Sequence, residues 1–459
     1  MIPRHVFREY DIRGLHATEL TDDLAESVGR AFGTLIRGEG GRRVALGRDV
    51  RPSSERLADA AARGMVAAGL EVERVGVVPT PALYFAVAKR GLDGGMQITG
   101  SHNPPEFNGF KMTRGALPVF GADIQAMADT IVRGAYASGP GAVLDEAILD
   151  EYRAELIERH RVDGGLEVVM DCGNGCAGTV VPEVFQSMGH NVTALFPELD
   201  GRFPNHLPDP TVPGLLVDLQ REVKRARADL GIAFDGDADR IGAVDAGGRI
   251  VWGDQILALL ARDVLQRVPG AEILYDVKCS QGLAEDIAAH GGRPSMWKTG
   301  HSLLKQRLQE TGAPLAGEMS GHMFFREGWY GFDDALVAAG RLLRYVAGEG
   351  RTFAAIVDSI PHYVATPELR LACPEERKFA IVQQLTREFE GATDARRVIT
   401  LDGVRVEFGD GWGLVRASNT QPVLVARFEA RTPERLEQIR HRFMERLKRL
   451  GVGELPVGH

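Results

Sequence analysis

The run Leu230-Gly231-Ile232-Ala233-Phe234-Asp235-Gly236-Asp237-Ala238-Asp239-Arg240 decides how the rest of the chain is read. Its first five residues predict a strand at the edge of a core. The three aspartates that follow alternate with the two smallest residues, and an arginine closes the set. In extended or tightly curved backbone this alternation sends positions 235, 237 and 239 to one side. Three carboxylates held together repel one another unless a cation lies between them. Oxygen-only ligands suit a hard divalent ion such as Mg2+, which readily takes a phosphate oxygen to complete its octahedron. A strand that delivers such a loop predicts an α/β sheet and phosphate chemistry.

Two other metal loops begin in the same way. An EF-hand needs glycine at its sixth position and glutamate at its twelfth, but Arg240 and Ala246 stand there. A phosphatase of the haloacid dehalogenase type uses Asp-x-Asp after a strand, with the first aspartate as nucleophile. The local sequence satisfies that pattern, so a metal-dependent sugar phosphatase acting through Asp235 stays as a competing reading.

Working outward, 459 residues are too many for one core and predict about three or four domains. Hydrophobic content of 44% and charged content of 25% are ordinary for a globular protein. A net charge of −9 with no long Lys/Arg run speaks against nucleic acid as a partner. No apolar stretch is long enough to span a membrane. The segment from Met1 to Tyr10 lacks the apolar centre of a secretion signal, so a cytoplasmic setting is expected. Four cysteines make no disulfide framework. Cys172 and Cys176 lack zinc-knuckle spacing and read as packing residues beside a glycine turn.

Strand and helix patterns alternate, which predicts parallel or mixed sheets covered by helices. Strands are expected at 42–47, 71–78, 166–170 and 272–275, and helices at 53–69 and 145–161. After Ile360-Pro361 the texture changes to charged helices at 374–390 and 432–450 around short strands such as 403–408. Those features predict a C-terminal α+β domain.

Four further loops carry chemistry. Thr99-Gly100-Ser101-His102-Asn103-Pro104 follows the expected strand 95–98 and exposes a candidate nucleophile, Ser101. Its flanks exclude the Gly-x-Ser-x-Gly elbow of hydrolases. Adjacent side chains tend to diverge, so His102 is not expected to meet Ser101, whereas Lys111 could return to it. Gly317-Glu318-Met319-Ser320-Gly321-His322 offers donors and acceptors between glycines, suited to sugar hydroxyls. Lys298-Thr299-Gly300-His301 precedes a helix start that could meet an anion. Arg416-Ala417-Ser418-Asn419-Thr420 packs a guanidinium, an amide and two hydroxyls into one turn, a composition suited to phosphate.

The Ser101 loop, the Asp235 run, the Gly317 to His322 loop and the Arg416 loop, in this order, resemble the α-D-phosphohexomutase superfamily over essentially the whole chain. Phe7-Arg8-Glu9-Tyr10-Asp11-Ile12-Arg13-Gly14 and Glu318-Met319-Ser320 are most similar to the bacterial phosphomannomutase/phosphoglucomutase branch. The resemblance implies three similar mixed-sheet α/β domains, at 1–146, 147–249 and 250–361, and a smaller α+β domain at 362–459, around a central cleft. It implies a phosphohexomutase that converts hexose 1-phosphate to hexose 6-phosphate through a bound hexose 1,6-bisphosphate. Mannose or glucose is the expected sugar, with glucosamine phosphate as the alternative. Ser101 would be the phosphoserine, and its phosphate would join Asp235, Asp237 and Asp239 around Mg2+. Lys111 and His322 would share acid/base work, with Arg13, Arg240 and His301 lining the site. Tyr10, Lys278, Glu318, Ser320, Arg416, Ser418, Asn419 and Thr420 would hold sugar and phosphate. A monomer is expected, with a homodimer as the other possibility. One departure is Ala238, where the family often has glycine.

Overall fold

Apolar runs bounded by turns become the central strands of four sheets. A computed structural model describes residues 2–418 and 422–453. The first sheet runs in the order Ile12–Leu15, Phe107–Arg114, Gly94–Ile98, Arg43–Arg48, Glu71–Val77, Ala142–Asp145, with Leu117–Pro118 paired to Phe107–Arg114. The second runs Ile250–Val251, Ile241–Asp245, Leu230–Phe234, Glu167–Asp171, Asn191–Leu195. The third runs Arg293–Trp297, Glu272–Asp276, Leu315–Gly317, Met323–Phe325. All three are mixed, as the alternating pattern predicted.

One device recurs in each. A buried strand that lies parallel to one neighbour ends in a short loop, and the chain returns beside it antiparallel. Gly94–Ile98 returns as Phe107–Arg114, Leu230–Phe234 as Ile241–Asp245, and Leu315–Gly317 as Met323–Phe325. The three loops enclosed by these hairpins are the Ser101, Asp235 and Glu318 loops.

The fourth sheet is wholly antiparallel: Val364–Ala365, Val423–Ala430, Gly411–Ala417, Val404–Glu407, Arg397–Ile399, with Leu369–Ala372 also paired to Val423–Ala430. Helices Lys378–Glu390 and Pro433–Arg449 cover it. Its core of Leu385, Phe389, Phe428 and Phe443 is its own. By contrast, one apolar cluster joins the first three units, running from Phe85 through Tyr152 and Phe234 to Leu336.

Several boundaries moved by a few residues. The helix expected from 145 begins at Leu149, because Ala142–Asp145 is spent as an edge strand against Glu71–Val77. That strand is exposed along its length, so it carried no burial pattern in the sequence. All four cysteines are free and buried. Among the described residues no helix is long and apolar enough to cross a membrane.

Candidate active site

Ser101 sits at the bend of the first hairpin loop with φ 51°, a left-handed conformation that a non-glycine residue rarely adopts. Buried Arg51 donates to the Ser101 carbonyl at 2.8 Å, and the Ser101 amide donates to Thr99 Oγ1 at 2.8 Å. Arg13 braces the loop by donating to Asn103 Oδ1 at 2.9 Å and to the Gly100 carbonyl at 3.3 Å, while Asp11 accepts from it at 2.5 Å. Across the domain boundary, Ser101 Oγ donates to Asp235 Oδ2 at 2.7 Å. The expectation that His102 points away is corrected: its Nδ1 lies 3.1 Å from Ser101 Oγ. The left-handed turn breaks the alternation that would separate neighbouring side chains. Burial, then the Arg240, Arg13 and Lys111 charges, hold the His102 pKa well below the usual range, so its ring is neutral.

Asp235, Asp237 and Asp239 do share one side. One carboxylate oxygen from each falls within 4.8 Å of the others. The loop is not the solvated turn that its composition allows, because all three side chains are completely buried. Asp235 Oδ1 accepts from the Asp239 and Arg240 amides at 3.0 and 3.1 Å. Burial and the two like charges push its pKa well above the usual carboxylate range. Lys111, expected to return to the serine, goes instead to the carboxylates. Its Nζ donates to Asp237 Oδ2 at 2.8 Å and also pairs with Asp239. Thr80 donates to Asp237 Oδ2 at 2.5 Å. That leaves Asp237 Oδ1 and Asp239 Oδ1 buried without a hydrogen-bond partner. Two orphaned carboxylate oxygens in an all-oxygen set fit a hard divalent cation.

Gly236 is what lets this loop meet the serine loop, since a Cβ there would lie 2.4 Å from the Ser101 carbonyl oxygen. Gly321 does the same for the third hairpin: it has φ 94°, and a Cβ would lie 2.3 Å from the Ile241 carbonyl oxygen. The close approach lets Ile241 donate its amide to the Gly321 carbonyl at 3.1 Å. It also brings Arg240 to His322.

Arg240 Nε donates to His322 Nε2 at 2.9 Å. On the other edge of the ring, Nδ1 lies 3.0 Å from Asp333 Oδ2 and 3.6 Å from Asp239 Oδ1. His301 stacks on His322 with ring centres 5.3 Å apart. Burial first, then Lys305, lower the His301 pKa well below its ordinary value. Asp333 and Lys305 were missed in the sequence. Asp333 precedes Asp334, whose side chain caps helix Ala335–Glu349, so the pair reads as an ordinary helix start. The anion expected at the start of helix His301–Thr311 is internal: the Gly300 amide donates to Glu318 Oε1 at 2.7 Å. Ser320 Oγ donates to the other Glu318 oxygen at 2.8 Å.

The remaining predicted residues lie where the first, third and fourth domains meet. Tyr10 Oη donates to the Thr299 carbonyl at 3.0 Å. The Thr299 amide donates to Asp402 Oδ2 at 3.1 Å, and Arg416 Nε donates to the same oxygen at 2.9 Å. Lys278 Nζ lies 3.3 Å from Glu368 Oε2. Ser418 is buried, and its carbonyl accepts from Lys378 at 2.6 Å. Asn419 and Thr420 lie outside the described residues.

Four family models match the chain in order. They are described as phosphoglucomutase/phosphomannomutase alpha/beta/alpha domain I at 4–135, domain II at 149–248, domain III at 252–363 and C-terminal domain at 368–446. A phosphomannomutase/phosphoglucomutase of Pseudomonas aeruginosa is 45% identical over 99% of this chain and 98% of its own length. A phosphoglucomutase of Neisseria gonorrhoeae is 44% identical over 96% of each. The crystal structure of a phosphoglucomutase/phosphomannomutase family protein from Burkholderia thailandensis superposes with a TM-score of 0.94 at 43% identity, covering 99% of both chains. With its four domains and its loops in this order, the chain belongs to the phosphoglucomutase/phosphomannomutase family.

Proposed function

We propose that the chain is a phosphohexomutase that interconverts hexose 1-phosphate and hexose 6-phosphate, with mannose and glucose as its sugars. The observation that carries this reading is the meeting of Ser101 Oγ and Asp235 Oδ2 at 2.7 Å. It brings the candidate nucleophile of the first hairpin loop against the acidic cluster. The phosphatase reading is disfavoured by the same contact. An aspartate nucleophile would leave unexplained why a serine hydroxyl is held against Asp235.

Asp235, Asp237 and Asp239, with an oxygen of the Ser101 phosphate, would hold Mg2+, which when bound draws charge off the transferring phosphoryl group. A sugar hydroxyl attacks that phosphorus, and His322 Nε2 takes its proton. For this to happen Arg240 leaves the ring and turns to the sugar's phosphate. The bond from phosphorus to Ser101 Oγ breaks with its electron pair on Oγ, and Lys111 would supply the proton Oγ needs, a step that requires its ammonium to leave Asp237 and Asp239 for the serine. The hexose 1,6-bisphosphate so formed turns over and returns its other phosphate to Ser101 by the reverse transfers. Arg13 keeps the serine loop in line for both.

Glu318 and Ser320 bind sugar hydroxyls in either orientation, beside His301. Arg416, Ser418, Asn419 and Thr420, with Lys278 and Tyr10, bind the phosphate that is not reacting. Water has to be excluded, or the phosphoserine is hydrolysed. Closure of the fourth domain serves that need, and its separate main core, joined to the third domain by a small apolar patch and a few polar contacts, supports such a motion.

A coupled assay tests the reading. Mannose, glucose and glucosamine 1-phosphates are compared with Mg2+ and catalytic sugar 1,6-bisphosphate, scoring hexose 6-phosphate against inorganic phosphate. Hexose 6-phosphate from mannose and glucose is expected. Release of inorganic phosphate alone would replace the mutase with a phosphatase.

A further inference from the structure

The His322 ring has one edge on Arg240 and the other on carboxylates, and that asymmetry fixes where its hydrogen sits. An arginine Nε–H can only donate. Because it donates to Nε2 at 2.9 Å, Nε2 carries a lone pair, and the hydrogen of the neutral ring is on Nδ1. Nδ1 faces Asp333 Oδ2 at 3.0 Å, closer than Asp239 at 3.6 Å. Asp333 is itself pinned. It is fully buried, Lys305 Nζ lies 2.7 Å from its Oδ1, and His301 Nδ1 lies 3.8 Å from its Oδ2. Lys305 and His301 sit one turn apart on helix His301–Thr311 and so share a face. Lys305 Nζ also rests over the Tyr84 ring at 4.1 Å, which fixes the ammonium from the side of the first domain.

We propose that Asp333 is the positioning residue for His322: its buried carboxylate, held by Lys305, keeps the imidazole with hydrogen on Nδ1 and presents the Nε2 lone pair to the cleft. This rests on the reading of His322 as the group that takes the sugar hydroxyl's proton. In that step the sugar oxygen bonds to phosphorus, the bond from phosphorus to Ser101 Oγ breaks, and the hydroxyl proton moves to Nε2. A ring with hydrogen on Nε2 has no lone pair there to receive it. Arg240 then acts as a cap on Nε2 in the absence of substrate, and a substrate phosphate that draws the guanidinium away uncovers the base.

The test combines tautomer and kinetics in the full-length protein. Nitrogen-15 histidine spectra of the wild type are compared with those of Asp333→Ala and Asp333→Asn, with His322→Ala supplying the assignment. The wild type should have Nδ1 protonated and Nε2 bare. Asp333→Ala should lose that preference, and its kcat should fall by about 10²-fold with KM changed less than about threefold. Phosphate content at Ser101 should stay at the wild-type level. Asp333→Asn keeps the volume and is read in the same way should the alanine variant fail to fold. An unchanged Nδ1–H tautomer in both variants, or kcat and KM moving together, would overturn the proposal. Absence of mutase turnover in the wild type would instead sink the functional reading, and the spectra would still decide the tautomer.

Discussion

Ala238 stands with φ 58° in the middle of the acidic loop, fully buried. A left-handed alanine costs about 1–2 kcal/mol, and glycine in its place would give back about 0.5–1 kcal/mol through unfolded-state entropy. Ala238→Gly should therefore raise stability by about 0–1.5 kcal/mol in a denaturant titration and leave turnover intact. A loss of more than about 1 kcal/mol would show that the methyl group packs better than the strain costs. The sequence alone marked a departure from the family's usual glycine; only the backbone conformation gives it a sign. Other residues divide by chemistry. His322→Ala should lower kcat by about 10²–10⁴-fold with a smaller change in KM. Arg416→Ala should raise KM more than it lowers kcat, because its guanidinium is read as holding the idle phosphate. If His322→Ala moved only KM while Lys111→Ala abolished turnover, proton transfer would belong to Lys111. Residue identity made Ser101, the aspartates and Arg416 legible. Asp333 and Lys305 were not, because their significance lies in what faces them across the fold.

Three hairpins of one design supply the Ser101, Asp235 and Glu318 loops; the first two were visible as an apolar run followed by a polar turn, while the third showed only its glycine-flanked polar turn. Leu230–Phe234 was readable to the residue because both of its faces are buried. Ala142–Asp145 was not readable, since an exposed edge strand leaves no apolar signature. Elements also meet through charge networks that no local pattern announces. Glu327 joins Arg267, at 2.9 Å, to Arg341, at 2.7 Å, and so ties helix Gly253–Arg267 to helix Ala335–Glu349. Burial works to raise the Glu327 pKa, but the two guanidinium groups prevail and hold it at about 2, against an ordinary 4.5. A carboxylate lowered by folding stabilises fully above its unfolded pKa, and that stability is lost as pH falls toward the folded value. Glu327→Gln should cost about 1–2 kcal/mol near neutral pH, a figure reduced because Arg267 is partly exposed. The gap to wild type should close as pH drops from about 4.5 toward 2. A gap that stayed constant across this range would mean that the loss is one of packing.

At the scale of the whole molecule, three domains share one continuous apolar cluster while the fourth keeps its own. The shared cluster holds the first three hairpin loops in fixed register. The fourth reaches them through a small apolar patch of Val277, Trp412 and Leu414 and through polar contacts, such as Asp402 accepting from Thr299. Length predicted about three or four domains, and the change of texture after Pro361 set off the last of them; the division into four came with the family resemblance. How the loops converge was legible only through family resemblance, since convergence is set by tertiary packing that spacing does not encode. The account rests on one claim, that Ser101 carries the phosphoryl group from one end of a hexose to the other. The most direct measurement loads the protein with labelled phosphate from hexose 1,6-bisphosphate, maps the label by peptide mass spectrometry, and then adds unlabelled glucose 1-phosphate with Mg2+. The account predicts label on Ser101, its passage to sugar phosphate within a turnover, no such passage after chelation, and no label in Ser101→Ala. Full mutase activity with Ser101 never labelled, or label released only as inorganic phosphate, would contradict it.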